Sequence, residues 1–374
     1  MKLRETVLPV LRPLGGEEEL TLLKEVIESG WWGKGSKVDE FEKKFAELVG
    51  AKYALAVISN SVAQDLILKA KGVKDADVIS PTISFITTGL VPLWNNCNSL
   101  LCDVEEDTLN LNPLDLKYSL TNNTKVVIAV NYAGIPSNID AMREHYDGFI
   151  IEDCALSCYT PGAGSKGDVA VWSFQAVKTI SCGDGGMITT NDSKLYNKLK
   201  PMINFGIPHT TYQRSMIRSQ KTKIKLSPGY VWDYEVDSIG YKAYMNDIQA
   251  SICLAQLKKM YNYLEKRKSI QKRYNTELSN YLKIPEWSET AQFYSARVNK
   301  KHRNPLMSFL ASKNIHTTVH FKPLHLHPIL DQKREFPIAN KEWKKLISLP
   351  CHSAMDDEDV DYVIYWIKKY FQTI

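Results

Sequence analysis

Apolar positions in this chain follow two spacings, and the two alternate over its first two thirds. EEELTLLKEVIES (17–29) sets its apolar residues three and four apart, the spacing of one helix face. KVDEFEKKFAELVG (37–50) repeats that spacing and ends in Gly50, a residue suited to closing a helix. KYALAVIS (52–59) is a short continuous apolar run of strand length, and AQDLILKAKG (63–72) returns to the helical spacing. DVISP (77–81) predicts a strand stopped by proline. KVVIAVNYAG (125–134), GFIIEDCA (148–155), DVAVWSF (168–174) and GMITT (186–190) predict further strands. Continuous apolar strands alternating with helices predict an α/β fold on a mainly parallel sheet covered on both faces.

Beyond this region, residues 208–231 are polar and irregular, a long loop or flap. A long helix is predicted from Asp247 to about Ser279, carrying the chain out of a large domain (1–255) into a smaller one (256–374). The smaller domain ends in an amphipathic helix, DEDVDYVIYWIKKYF (357–371). There is no internal repeat and no low-complexity tract.

Composition narrows the function. A chain of 374 residues can bury a large core. A net charge of +5 is mild for this length; it argues against a dedicated nucleic-acid binder and leaves room for an anionic small substrate. No apolar run approaches the ~18 residues of a membrane span, and the N-terminus lacks an apolar core of signal-peptide length. The seven cysteines are irregularly spaced with no CxxC pair, so zinc and redox-pair chemistry are disfavoured and no metal is expected. Free thiols without an export signal predict the cytoplasm.

The chemistry gathers where strands end. Asp153 closes one apolar strand and Ser173 another, and ligand sites in such sheets form beyond those carboxyl ends. Lys178 follows five residues after Ser173 and precedes a glycine-rich turn, GDGG. Strand–Asp, strand–Ser, Lys, Gly-rich turn is the order that pyridoxal phosphate (PLP) chemistry needs. A lysine amine binds the cofactor, an aspartate keeps the pyridine nitrogen protonated, and small residues close on the phosphate. Taken alone, Lys178 is an ordinary surface lysine and Asp153 a helix cap; their order together gives the reading its weight. Asn60 and Ser61 sit at a strand-to-helix junction, where hydroxyls and free N–H groups suit a phosphate or simply cap the helix. Phe85, in SPTISFITT, is placed to stack on a ring or to fill core. His320 and His325, in VHFKPLHLHP, have no acidic neighbour as a metal pair would, so substrate contact is preferred. The basic run Arg214, Arg218, Lys221, Lys223 and Lys225 is a solvated loop or a partner for a nucleotide diphosphate.

These residues, in this order, resemble the DegT/DnrJ/EryC1/StrS aminotransferases, PLP enzymes of fold type I that aminate keto sugars, mostly nucleotide-linked. SGWWGKGSKVDEFEKKFAELVGAKYALAV (29–57), PTISF (81–85), EDCA, SFQAVK with GDGGM, GYKAYMNDIQASICLAQL (240–257), VHFKPLH and ISLP (347–350) all fall in the family's order, over nearly the whole chain. The resemblance implies a mostly parallel seven-stranded central sheet flanked by helices and a smaller α+β C-terminal domain. It implies that Lys178 binds PLP and moves the proton between the substrate carbon and the cofactor, and that Asp153 pairs with the pyridine nitrogen. Phe85 is implied to stack on the ring, and Asn60, Ser61 and Ser173 to hold the phosphate. Lys242 is implied to reach across a homodimer interface toward phosphate or substrate, so that active sites are shared. L-Glutamate is the implied amino donor and a nucleotide-linked keto sugar the acceptor.

The chain departs from the family at three places. Leu156 stands where a glutamine or histidine is usual, Asn60-Ser61 where glycine-threonine is, and Phe205 where a histidine is. Leu156 keeps open a PLP enzyme of another reaction type, such as a decarboxylase, lyase or dehydratase. A non-catalytic binding protein on the same fold is the other rival, against which Lys178 and Asp153 count.

Overall fold

A computed structural model describes residues 1–209, 234–236, 238–284 and 292–374. The basic run of the predicted flap lies outside these residues. Two N-terminal helices, α1 (Glu17–Ser29) and α2 (Ser36–Val49), come first, and α2 closes on Gly50 at φ 69°, as its glycine predicts. Then β1 (Tyr53–Val57), α3 (Asn60–Lys71), β2 (Asp77–Pro81), α4 (Ile86–Trp94) and β3 (Asn98–Cys102) follow. They lead to α5 (Pro113–Ser119), β4 (Thr124–Val130), α6 (Ile139–Arg143), β5 (Phe149–Asp153), β6 (Val169–Ser173), β7 (Gly186–Thr190) and α7 (Ser193–Met202).

Seven strands form one sheet in the order β1-β7-β6-β5-β4-β2-β3. Only β7 runs antiparallel to its neighbours, β1 and β6; every other pairing is parallel. The carboxyl ends of β1, β5 and β6 therefore meet the start of β7 along one edge. One face of the sheet packs on α3 and α7 through Leu66, Ile67, Val126, Ile151, Val171 and Leu199. The other face carries Trp172 and Phe174 against Phe41 and Phe45 of α2, with ring centroids 5.1–5.3 Å apart.

The long helix α8 (Asp247–Leu278) starts on a capping box, with Asn246 accepting from the Gln249 amide and the Gln249 side chain returning to the Asn246 N–H. At 1.5 Å per residue it spans about 48 Å, enough to serve two cores. Its first half packs Ala250, Cys253, Leu254 and Leu264 beneath the sheet; its second half packs Ile270, Tyr274 and Leu278 in a C-terminal core. That core gathers the two-stranded sheet of β8 (Tyr294–Arg297) and β9 (Leu346–Leu349) with α9 (Lys300–Ala311) and α11 (Asp357–Gln372). The short α10 (Pro337–Glu342) packs instead with Ile83, Leu156 and Phe293 in a further cluster between the two. Leu8, expected with the large domain, packs in the C-terminal core and bridges to Ile315. No helix among the described residues is long and apolar enough to cross a membrane.

Candidate active site

The shared strand edge opens on a cavity of about 500 Å³. Asp153, the last residue of β5, is 5 % exposed and is gripped from three sides. The Ala155 N–H and the Asn60 side-chain amide donate to its Oδ1, each at 3.0 Å, and Gln64 Nε2 donates to Oδ2 at 2.9 Å. Asn60 and Gln64 lie one helical turn apart on α3 and bond each other at 2.8 Å. Capping of α3 falls to Ser59, whose hydroxyl accepts from the Val62 N–H at 3.2 Å. The first N–H groups of α3, at Asn60 and Ser61, point off the helix start as helix geometry requires. Ser61 donates to the Thr87 hydroxyl at 3.2 Å, and both line the cavity beside Ser173.

Gly186 makes this closeness possible. A Cβ there would stand 2.5 Å from the Ser59 carbonyl carbon and 2.6 Å from the Asn60 nitrogen, so only glycine lets β7 run under the start of α3.

Lys178 reaches the same cavity from the turn between β6 and β7. Its amine has no hydrogen bond or ion pair among the described residues. Burial pushes its pKa down to about 8; nearby Asp153 works against that and Arg267 adds to it. Burial raises the Asp153 pKa, opposed by its three donors and Lys178. His320 stacks on Phe293 with centroids 4.1 Å apart and shares a 2.8 Å hydrogen bond between Nδ1 and the Ser348 hydroxyl. Burial, reinforced by Lys178, holds its pKa near 3, so its ring is neutral.

The model of the DegT/DnrJ/EryC1/StrS aminotransferase family matches residues 13–368. The chain belongs to this family. It is 35 % identical over 388 residues, covering 96 % of each chain, to the spore coat polysaccharide biosynthesis protein SpsC of Bacillus subtilis. The aminotransferase TlmJ from Streptoalloteichus hindustanus superposes with a TM-score of 0.87 at 27 % identity, covering 98 % of this chain and 99 % of that one. Helicobacter pylori PseC, an aminotransferase involved in the biosynthesis of pseudoaminic acid, has the same fold, with a TM-score of 0.87 at 23 % identity over 99 % and 100 % of the two chains. The protein is thus an aminotransferase of fold type I.

Family members use PLP. The cavity suits it: an unpartnered amine, a buried carboxylate held by three donors, and a helix start flanked by hydroxyls.

Of the residues singled out in the sequence, Lys178, Asp153, Asn60, Ser61, Ser173, Phe85 and His320 all line this cavity. Phe85 stands on its rim, 60 % exposed, edge-on to Phe321 at 6.2 Å. The Asn60 side chain is committed to Asp153 and Gln64, which leaves its backbone N–H for an anion. His325 does not line the cavity. Its Nδ1 lies 2.6 Å from the Thr82 hydroxyl, its Nε2 3.1 Å from Asn340 Oδ1, and its ring stacks on Phe336, so both nitrogens are engaged within the fold. Lys242 is exposed, bridges to Asn204 through its backbone, and stays outside the cavity of its own chain.

Sequence reasoning missed Gln64, Gln292, Phe293 and Phe321. Gln64 carried a usable signal, four residues after Asn60 on one helix face. The other three reach the cavity from distant parts of the chain, with no local pattern to mark them. Leu156 packs in the apolar wall with Ile83, Tyr132 and Phe293.

Proposed function

We propose that this aminotransferase takes an amino group from L-glutamate and passes it to a keto group of a nucleotide-linked deoxysugar, for polysaccharide synthesis in the cytoplasm. The observation that carries the site assignment is one cavity holding a lysine amine without a partner among the described residues, a buried aspartate and the start of α3. The sugar assignment rests on the likeness to the polysaccharide biosynthesis protein SpsC.

When bound, PLP supplies an electron sink that lets a proton leave the carbon bearing nitrogen. Asp153 would keep the pyridine nitrogen protonated, and its three donors hold the carboxylate in place. The start of α3, with Ser61 and Ser173, binds the phosphate through N–H and hydroxyl donors. Phe85, on the rim, would cover the ring. Lys178 would hold the cofactor, and its amine would serve as the base that takes the proton from the substrate carbon and gives it back. With a pKa of about 8, roughly a tenth of that amine is neutral at pH 7, against less than about a thousandth for an ordinary lysine. The neutral His320 ring, which lines the cavity, would contact the substrate. Lys242 of a second copy completes the site across a homodimer interface.

Adding L-glutamate to the PLP-loaded protein should remove the absorbance of the lysine-bound cofactor and release 2-oxoglutarate, and Lys178→Ala should abolish both. Keto-sugar nucleotides should then gain the mass of one amination. Unchanged absorbance with glutamate sinks the donor assignment. Amination of free keto sugars but of none carrying a nucleotide sinks the acceptor assignment.

A further inference from the structure

The peptide on either side of Lys178 is held by a single side chain. Gln292, 2 % exposed, accepts through Oε1 from the Thr179 N–H at 3.0 Å and the Thr179 hydroxyl at 2.9 Å. Its Nε2 donates to the Val177 carbonyl. The carbonyl before the lysine and the N–H after it are thus tied to one amide, which fixes the main chain from which Lys178 enters the cavity.

Gln292 is itself secured. Arg267, 3 % exposed on α8, donates through one Nη1 to the Gln292 carbonyl at 2.9 Å and to the Thr179 hydroxyl at 3.1 Å. Its Nε has no hydrogen-bond partner, and no carboxylate pairs with it among the described residues. Cys158 and Cys351 lie near it, but burial pushes their thiols up to about 12 and about 11, so neither is charged in the working range, and His352 beside it is held neutral. A guanidinium buried without a carboxylate costs several kcal/mol, so a chain gains nothing in stability by keeping one. The charge is felt at Lys178, where it acts with burial against Asp153.

We propose that Gln292 and Arg267 are positioning residues for Lys178: the Gln292 side-chain amide clamps the chain on both sides of the lysine, and Arg267 holds the Gln292 main chain and the Thr179 hydroxyl and sets an unbalanced positive charge behind the amine. Among the described residues the charged and titratable groups that act on Lys178 are Asp153 from β5, Arg267 from α8 and the His320 ring, with Asp184 also lining the cavity, and of these Arg267 keeps a positive charge over the working range. Burial lowers the lysine's proton affinity most, Asp153 raises it, and the guanidinium adds to burial against Asp153, so the amine stays available as a base. The proposal rests on Lys178 being the cofactor lysine, yet it concerns the acidity of the amine and can be read without cofactor.

The experiment uses the full chain stripped of PLP. Reductive methylation with formaldehyde is followed at Lys178 by peptide mass spectrometry across pH, which reads the fraction of neutral amine. The native chain should give a midpoint near pH 8. Arg267→Gln, which keeps a donor toward Thr179 but loses the charge, should move the midpoint up by about one, cutting the rate at pH 8 about fivefold. Arg267→Lys keeps the charge and should keep the midpoint. A folded Arg267→Gln chain with an unmoved midpoint overturns the electrostatic half of the proposal. Arg267→Met replaces it if the glutamine variant does not fold. The clamp is read in the PLP-loaded enzyme: Gln292→Leu, with Arg267 intact, should lower kcat about tenfold or more with the donor KM unchanged, as a misplaced catalytic group does. A kcat within twofold of native overturns the clamp, and this split decides alone if neither neutral Arg267 variant folds. Failure of sugar amination with these midpoints intact counts against the substrate assignment and leaves the clamp standing.

Discussion

His320 shows how a single residue ties the cavity to the pH response of the whole chain. Its folded pKa of about 3 lies below the ordinary histidine value of 6.5, so the native state resists taking a proton that the unfolded chain accepts. Its contribution to stability is complete above pH 6.5 and is lost progressively as pH falls toward 3. Between pH 7 and pH 5 the native chain should lose about 2 kcal/mol through this group. His320→Gln keeps a bond to Ser348 and should not show that part of the loss. Urea midpoints of the two chains at both pH values measure the difference, and equal slopes with pH would show that the His320 ring is not held neutral. His352, pushed down to about 4, adds a separate acid-labile share that this substitution leaves in place. At this scale the sequence was legible where function sits on a strand end, as at Asp153 and Ser173, because local pattern marks strand ends. It was silent where a side chain arrives from far along the chain, as Gln292 and Arg267 do. His320 and His325 looked equivalent in VHFKPLHLHP; tertiary partners separate them, since Thr82 and Asn340 occupy both nitrogens of the second.

Among elements, the junction of β7 with α3 sets where an anion can lie. Gly186→Ala would place a methyl group into the backbone of Ser59 and Asn60, which cannot swing aside as a side chain can. Overpacking of this kind costs about 1–3 kcal/mol. The shift should also pull the α3 N–H groups off the phosphate position. The variant should therefore bind PLP and inorganic phosphate more weakly than its loss of stability accounts for, as measured by titration well below its unfolding temperature. Native-like PLP affinity in a destabilised Gly186→Ala chain would separate the helix start from the cofactor. The sequence placed β1, β2, β4, β5, β6, β7, α1, α2, α3, α8 and α11 because each has a long or strongly apolar pattern. It left out β3, α5, α6, α7, α9 and α10, as well as α4, where Gly89 and Pro92 interrupt ITTGLVPLW, and β8 and β9, which are only four residues each. Four residues carry too few alternations to announce a strand, and the two persist because they pair with each other in a core that long-range packing builds.

For the whole molecule, the question is what keeps the walls of the cavity together. Asp153, Lys178 and α3 come from the seven-stranded sheet and its connections, whereas Phe293, His320 and Phe321 come from the C-terminal part of the chain. Besides α8, a buried charge joins these parts. Arg297 of β8, 4 % exposed, sets Nε 2.8 Å from Oε2 of Glu342, which is 1 % exposed. The same guanidinium donates to the carbonyls of Glu106 and Asp107, in the connection between β3 and α5. The pair is unequal in its support. Glu342 also meets Lys345 at 2.6 Å and Lys341 at 3.8 Å, whereas Glu342 is the carboxylate that Arg297 meets among the described residues. Removing one partner of a buried pair costs chiefly through the charge left behind. Glu342→Gln strands a buried guanidinium and should cost about 3 kcal/mol. Arg297→Met leaves a carboxylate that still has two lysines, and should cost less despite deleting the larger group. Both should weaken PLP binding, because the C-terminal wall is no longer tied to residues 106–107. Urea unfolding of the two variants gives the order directly. If Arg297→Met proves the more damaging, the pair acts through packing and backbone bonds of the arginine, and the charge argument for how the two parts of the molecule close on the cavity is wrong.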